Sequence, residues 1–467
     1  MELPSNTVTT VDHIVYARYI LPVVPRHKLY ENCALLIKDE HIVDIVTSDT
    51  AAQSFLSEKP ENTHRLDHHC VMPGLINMHG HAAMSLLRGY ADDMPLQDWL
   101  NKAIWPAEAQ HVSADFVKAG TELAMAEMLL SGTTCFSDMY FYPDSCAAAA
   151  SRAGMRANVY FPVLDFPSVW ARDADEYLSK GLDIADEYRS SELITVGFGP
   201  HAPYTVSDAA LARITTLASE MDAVVHIHLH ETQQEVEDSL TQSGKRPVER
   251  LAELGMLSPR LHAVHMTAAS TEDIELLTQH NAHIIHCPAS NMKLASGFTP
   301  VDQMQQAGLN LALGTDGAAS NNQLDLFCEM RLASLLAKGY SKNASAFDAT
   351  ASIESVTINA ARALGREDDL GSLGAGKLAD LIAIDLRSMA QEPLMSVSVA
   401  PKASDAGSSI LAQTKSPVHR LLSQLVYTSV GNQVSHVWVA GRLLVQEKRL
   451  QNGIYERAKQ GLSYAVC

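Results

Sequence analysis

The sequence predicts an α/β chain: a (β/α)8 TIM barrel with a small β-sandwich formed by the N- and C-terminal segments. Three observations carry that prediction. Between about residues 71 and 370, eight short β-branched or apolar runs alternate with longer amphipathic or Ala/Leu-rich segments, the pattern of βα units around a parallel sheet. The residue types that do chemistry fall at or just past the C-terminal ends of those runs, and in a barrel those ends converge on one mouth. Further strand-like pieces flank this core on both sides.

The eight runs are VMPGLINMH near 71, TTCFSD near 133, RANVYFPV near 156, ITVGFGPH near 194, VVHIHLHE near 224, LHAVHM near 261, AHIIHCP near 282 and NLALGTDG near 310. His79 and His81, Asp138, His201, His228 with Glu231, His265, Asn291 and Asp316 sit at their ends. A chain of 467 residues is too long for one compact core, so a smaller unit beside the barrel is expected. Residues 1–70 supply HIVYARYIL and CALLIKDEHIVDIV; residues 371–450 supply ADLIAIDL, QLVYTS and VSHVWVAGRLLV. Neither set makes a stable sheet alone, so the two should pair into one sandwich around the barrel at 71–370. Within the second set, about 388–418 is rich in Ser, Ala, Pro and Lys and reads as a flexible insertion. Residues 451–467 read as a closing helix.

Composition narrows the function. At 46% hydrophobic and 19% charged residues, the chain is an ordinary globular one. A formal charge of −19 repels phosphate backbones and anionic lipid, so neither nucleic acid nor a membrane is an expected partner, and any nucleobase it handles should be a free small molecule. The opening segment lacks the basic start and apolar run of a signal peptide, and no stretch is long and apolar enough to span a bilayer. Seven cysteines without CxxC spacing argue against a thiolate zinc site and for a reducing, cytoplasmic setting.

Four motifs carry chemistry. In Asn77-Met78-His79-Gly80-His81, two histidines two apart on extended backbone point to one side and can reach one ion, although an HxH pair alone fits two surface or capping histidines as well. In Val225-His226-Ile227-His228-Leu229-His230-Glu231, a period of two puts three histidines on one face, which is costly unless their ring nitrogens find partners. His228 is the ligand of choice there, leaving Glu231 free to act near the metal and His226 and His230 as packed or hydrogen-bonded neighbours. Gly314-Thr315-Asp316-Gly317 ends the eighth run with a carboxylate, completing a His3Asp set with room for water; away from a strand end, Asp-Gly would read as a turn. His265, closing the sixth run, faces either the reacting centre or the core.

With these motifs the chain resembles the amidohydrolase superfamily, and within it the 5'-methylthioadenosine/S-adenosylhomocysteine deaminases. The resemblance runs through PGLINMHGHAAMSLLRGYADDMPLQDWL, WPAEA, SGTTCFSDMY, GPHAPYTVSD, HIHLHET, AVHMT, HCPASNMKLASG, GTDGAASNNQLDLF and GSLGAGKLADLIAID. It implies one divalent metal ion per subunit, usually zinc, on His79, His81, His228 and Asp316. It implies Glu231 as proton shuttle, His265 beside the attacking water and Asp316 as acceptor of the water's proton. Glu108 and His201 match the positions that hold the nucleoside, with Trp99 lining the pocket. Helices in such barrels also put a carboxylate like Glu108 in a first turn simply because the dipole favours it.

Two departures refine the expectation. Where relatives that handle S-adenosylhomocysteine use arginines after the third strand, this chain reads VYFPVLDFPSVWARD, apolar up to Arg172, so methylthioadenosine ranks first, adenosine second and S-adenosylhomocysteine third. The fourth run ends on His201 and not on the lysine that bridges two metals, which favours a single ion. The alternatives are a guanine or other aminohydrolase, a triazine-type chlorohydrolase, or a catalytically silent barrel used for binding. Homo-oligomer formation suits such barrels, but no residue points to it.

Overall fold

The computed structural model describes residues 8–394, 416–451 and 453–464. Most of the insertion expected at about 388–418 therefore lies outside the described residues.

Eight parallel strands follow one another around the barrel in chain order: Leu75–Asn77, Thr133–Asp138, Arg156–Val163, Ile194–Pro200, Val225–Leu229, Leu261–His265, His283–His286 and Asn310–Leu313. The first and last meet through backbone bonds from Met78 N to Leu313 O (3.0 Å) and from Asp316 N to His79 O (2.9 Å). Gly314 permits that closure, since a Cβ there would lie 2.7 Å from the backbone nitrogen of His79. The helices that return the chain start on side-chain caps. Ser113 accepts from Phe116 N, Asp173 from Glu176 N, Ser207 from Ala210 N, Thr232 from Glu235 N and Ser270 from Asp273 N. Each cap satisfies an otherwise orphaned amide and contributes about 1 kcal/mol.

The run read near 71 divides at Gly74. Val71–Pro73 end a long strand, Thr63–Pro73, that belongs to the other sheet, and the barrel begins only at Leu75. A Cβ on Gly74 would fall 2.1 Å from Thr134 Oγ1, so the chain crosses between the two sheets at a point with no space for a side chain.

Both chain ends build that second sheet. Its order is Arg449–Leu450, Arg442–Gln446, Val434–Val439, Leu381–Asp385, Thr63–Pro73, His13–Ile20, Tyr30–Lys38 and His41–Thr47. Thr63–Pro73 is the seam, antiparallel to Leu381–Asp385 and parallel to His13–Ile20. The sheet folds over a core of Val15, Leu35, Leu66, Leu381, Ala383 and Trp438, and its far edge returns to the seam side through Ala379 N to Glu40 O (2.8 Å). This is the sandwich, and both termini are needed to make it.

One strand expectation is corrected. Gln424–Tyr427 of QLVYTS finish a helix, Pro417–Tyr427, whose buried positions Val418, Leu421, Leu422, Leu425 and Val426 follow the helical spacing of three and four. Read without its upstream half, a four-residue apolar run has no period of its own. Among the described residues no helix is long and apolar enough to cross a membrane, and six cysteines are free.

Candidate functional site

The barrel mouth gathers the predicted residues. Asn77, at the end of the first strand, accepts from Thr315 N (2.9 Å) and donates to Thr315 Oγ1 (2.8 Å), tying the HxH loop to the loop that carries Asp316. His79 Nε2 then lies 3.4 Å and His81 Nε2 3.2 Å from Asp316 Oδ1, and His228 Nε2 lies 3.2 Å from His79 Nε2. Two overlapping triads, His79/His81/Asp316 and His79/His228/His265, keep their donor atoms within 4.8 Å of one another.

Whether these residues suit a cation is decided at the far side of each ring. His81 Nδ1 donates to Met139 O (2.6 Å) and His228 Nδ1 to His201 O (2.8 Å). An imidazole that gives its N–H to a carbonyl keeps a lone pair on the other nitrogen. In the neutral rings, lone pairs on Nε2 therefore face one another and a carboxylate, an arrangement that repels itself unless a proton or a metal cation lies between, and three nitrogens with one oxygen suit a divalent ion such as zinc. Burial keeps His228 well below the usual histidine range and lowers His79 to about 4, so both stay neutral. Burial opposes charge on both partners, yet Asp316 raises His81 to about 9 and the two histidines beside it hold Asp316 ionised, so His81 is the ring that carries positive charge where a cation would sit. Asp316 and His265 adopt left-handed backbone, φ 61° and 75°, at a cost of order 1–3 kcal/mol each, a strain that sites of chemistry tolerate.

Glu231 lies just past His228, its carboxylate 3.9 Å from His265 Nε2. Burial pushes its pKa above the usual carboxyl value. His265 Nδ1 donates to Asn291 Oδ1 (2.8 Å), leaving its Nε2 lone pair toward the cavity. Asp138 has a different place: its Oδ1 accepts from Ala82 N (2.6 Å), and it holds the turn after His81 without lining the cavity.

The cavity holds about 470 Å³ and has two chemical ends. His81, His228, Glu231, His265 and Asp316 close one; Trp99, Leu100, Trp105, Phe166 and Val169 wall the other. Glu108 reaches in from the helix Trp105–His111, with Tyr140 Oη donating to its Oε1 (2.7 Å) and burial raising its pKa to about 7. His201 Nδ1 donates to Thr205 Oγ1 (3.0 Å), whose own proton goes to Ala202 O, so His201 offers an acceptor nitrogen to the cavity. Of the residues expected at the site, His81, Trp99, Glu108, His201, His228, Glu231, His265 and Asp316 line this space, and His79 does not line it but has its Nε2 3.4 Å from Asp316 Oδ1.

The amidohydrolase family profile matches residues 70–444, and 52% of 446 aligned residues are identical to a 5-methylthioadenosine/S-adenosylhomocysteine deaminase of Teredinibacter turnerae, covering 96% of this chain and 95% of the relative. The chain belongs to the amidohydrolase family. A second protein of that name, from Saccharophagus degradans, is 52% identical over 455 residues and 96% of each chain. The fold also superposes on an adenosine deaminase from Xanthomonas campestris crystallised with bound zinc, with TM-score 0.89 and 40% identity over 98% of this chain and 99% of that one. This amidohydrolase is accordingly a hydrolase acting on carbon–nitrogen bonds.

Several residues that shape the amidohydrolase site were not singled out from the sequence. Tyr140, the partner of Glu108, stands two residues past the second strand, within reach of the rule that strand ends are functional. Glu235 accepts from the backbone nitrogens of His230 (3.0 Å) and Glu231 (2.8 Å) and so clamps the turn that aims Glu231. Its position at the third residue of a helix capped by Thr232 was its signal. His230 turns away from the cavity, accepting from Val248 N (3.2 Å) beside Asp273.

Proposed function

We propose that this amidohydrolase is a metal-dependent deaminase of adenine nucleosides, taking 5'-methylthioadenosine first, adenosine second and S-adenosylhomocysteine third, and releasing ammonia and the inosine analogue. The observation that carries the reading is the two-ended cavity. A buried carboxyl group, Glu231, stands beside a convergent His3Asp set, and a Tyr140-held carboxyl group, Glu108, sits where ribose hydroxyls would need an acceptor. The similarity to proteins named as deaminases of these nucleosides supports the choice of substrate class.

His79, His81, His228 and Asp316 would hold one divalent ion, zinc by preference, whose chemistry when bound is to make water nucleophilic at neutral pH. Asp316 takes one proton from the attacking water as its oxygen bonds to C6 of the purine. Glu231 donates its proton to N1, so the ring accepts the addition without a full negative charge. The proton on Asp316 leaves with the amino group as ammonia, the C6 hydroxyl proton restores Glu231, and the product carries C6=O and N1–H. His265, fixed by Asn291, accepts a hydrogen bond at the reacting oxygen.

The ranking rests on charge. Among the described residues no arginine or lysine lines the cavity, and Arg172, the first cation after the third strand, is exposed and paired with Glu176. An uncharged methylthio tail can pack against Leu100, Trp105 and Phe166, whereas an amino-acid carboxylate would lose its water without gaining a partner. A panel measuring ammonia release and the ultraviolet shift of adenine to hypoxanthine tests this. The expected order of kcat/KM is methylthioadenosine, adenosine, S-adenosylhomocysteine; turnover of guanine or a chlorinated triazine above all three would overturn it.

A further inference from the structure

Two of the three histidines read as metal ligands have their tautomer set by a backbone carbonyl, Met139 O for His81 and His201 O for His228. His79 has none. Its Nδ1 instead meets His226 Nε2 at 2.8 Å, His226 Nδ1 meets His262 Nδ1 at 3.3 Å, and His262 Nε2 meets Ala363 O at 2.8 Å. All three rings are fully buried, and among the described residues no carboxylate or cation is bonded to His226 or His262.

The hydrogen positions follow in sequence. Ala363 O sits at the last residue of the helix Ile358–Ala363, where carbonyls lack an intrahelical partner, and it can only accept. His262 therefore carries its proton on Nε2 and a lone pair on Nδ1. Facing that lone pair, His226 carries its proton on Nδ1 and a lone pair on Nε2. His79 must then carry its proton on Nδ1, and its Nε2 lone pair turns toward Asp316. The Tyr160 ring, stacked on His226 at 4.5 Å and 9° between planes, keeps the middle ring of the chain from turning, and Tyr160 Oη stands 3.5 Å from His262 Nδ1, where it too can only donate.

We infer that His226 and His262 are positioning residues: a relay that carries the orienting effect of the Ala363 carbonyl across the barrel interior and locks His79 in its ligand tautomer. The inference rests on the reading of His79 as a metal ligand. Without the relay His226 is free to place its proton on Nε2, which forces His79 to point an N–H at the cation position, and binding must first reverse that.

The test uses the full-length protein labelled with 15N in its histidine rings and, separately, zinc titration of chelator-treated protein against a competing fluorescent chelator. Two-bond proton–nitrogen spectra of the unsubstituted protein should show His79 and His226 protonated on Nδ1 and His262 on Nε2, with or without metal. His262→Phe, close in shape and apolar, should weaken zinc binding roughly 10- to 100-fold, the range for losing an outer partner of a metal ligand. His262→Asn places an acceptor oxygen where Nδ1 stood and should recover most of that loss, which a purely packing role would not. A His226 protonated on Nε2, or a folded His262→Phe protein with unchanged zinc affinity, would overturn the relay. Should the Phe variant not fold, the spectra of the unsubstituted protein still decide. Failure of the unsubstituted protein to bind zinc would overturn the metal reading instead, and the metal-free spectra separate the two results.

Discussion

At the barrel mouth and in the terminal sheet, this chain gathers two groups of histidines in opposite surroundings. In the sheet, His13, His64, His69 and His436 are each less than a tenth exposed. His13 Nδ1 meets His64 Nε2 at 3.2 Å, His64 stands edge-on to Trp438, and His436 stacks on the same indole at 5.7 Å. Ring contacts with one another and with an aromatic dominate, and among the described residues the sets of donor atoms close enough to share an ion occur only at the mouth. What separates the groups is what stands behind and before the rings: at the mouth a partner takes the far N–H of each, and Asp316 faces the near nitrogens of His79 and His81. Burial alone makes neutral histidines, and orientation decides which of them can serve as ligands.

The largest effect that would sharpen this contrast is metal removal. Chelation should abolish ammonia release, stoichiometric zinc should restore it, and the thermal midpoint should fall on stripping, because an ion bound only by the folded state stabilises it. Glu231→Gln should retain zinc and nucleoside while lowering kcat about 10²-fold or more, measured by single-turnover kinetics. Tyr140→Phe removes one hydrogen bond from buried Glu108. It should lower kcat/KM by roughly tenfold, mostly through KM, as expected for about 1–1.5 kcal/mol.

The terminal group should show itself through acid, alongside the buried histidines of the barrel. Burial lowers His64 to about 3 and His436 to about 4, and it lowers His13 and His69 as well, whereas unfolded histidines titrate near 6.5. The unfolded chain binds more protons between those values, so stability is full above about pH 6.5 and declines as the pH falls from there toward about 4. Melting curves from pH 7.5 to 5 should show the midpoint dropping, and His64→Phe should flatten the drop. The smallest expected effect is none at all: replacing both His64 and His436 with Phe should leave zinc stoichiometry unchanged. Loss of a bound equivalent would break the contrast between the two groups.

The mouth was legible because its signals are local. His79 with His81, and His228 with Glu231, are fixed by the two-residue period of extended chain and by strand ends, and Asp316 by a strand that stops on Gly-Thr-Asp-Gly. The eight-strand order followed from alternation alone. What escaped came from contacts distant in sequence. His262 reads as one more core residue until Ala363 O is placed against it, and a carbonyl has no letter in the sequence. The seam strand Thr63–Pro73 hid because it is polar along half its length and runs into the first barrel strand with only Gly74 between them.

That seam has a consequence for biosynthesis. Thr63–Pro73 is made early, yet its antiparallel neighbour, Leu381–Asp385, is made only after all eight barrel strands. During translation the early hairpins must wait with an open edge while the barrel forms, a period in which stray strand pairing threatens. The sandwich thus closes last, like a clasp, and a ribosome stalled before residue 381 would release a barrel trailing a sticky, half-made sheet.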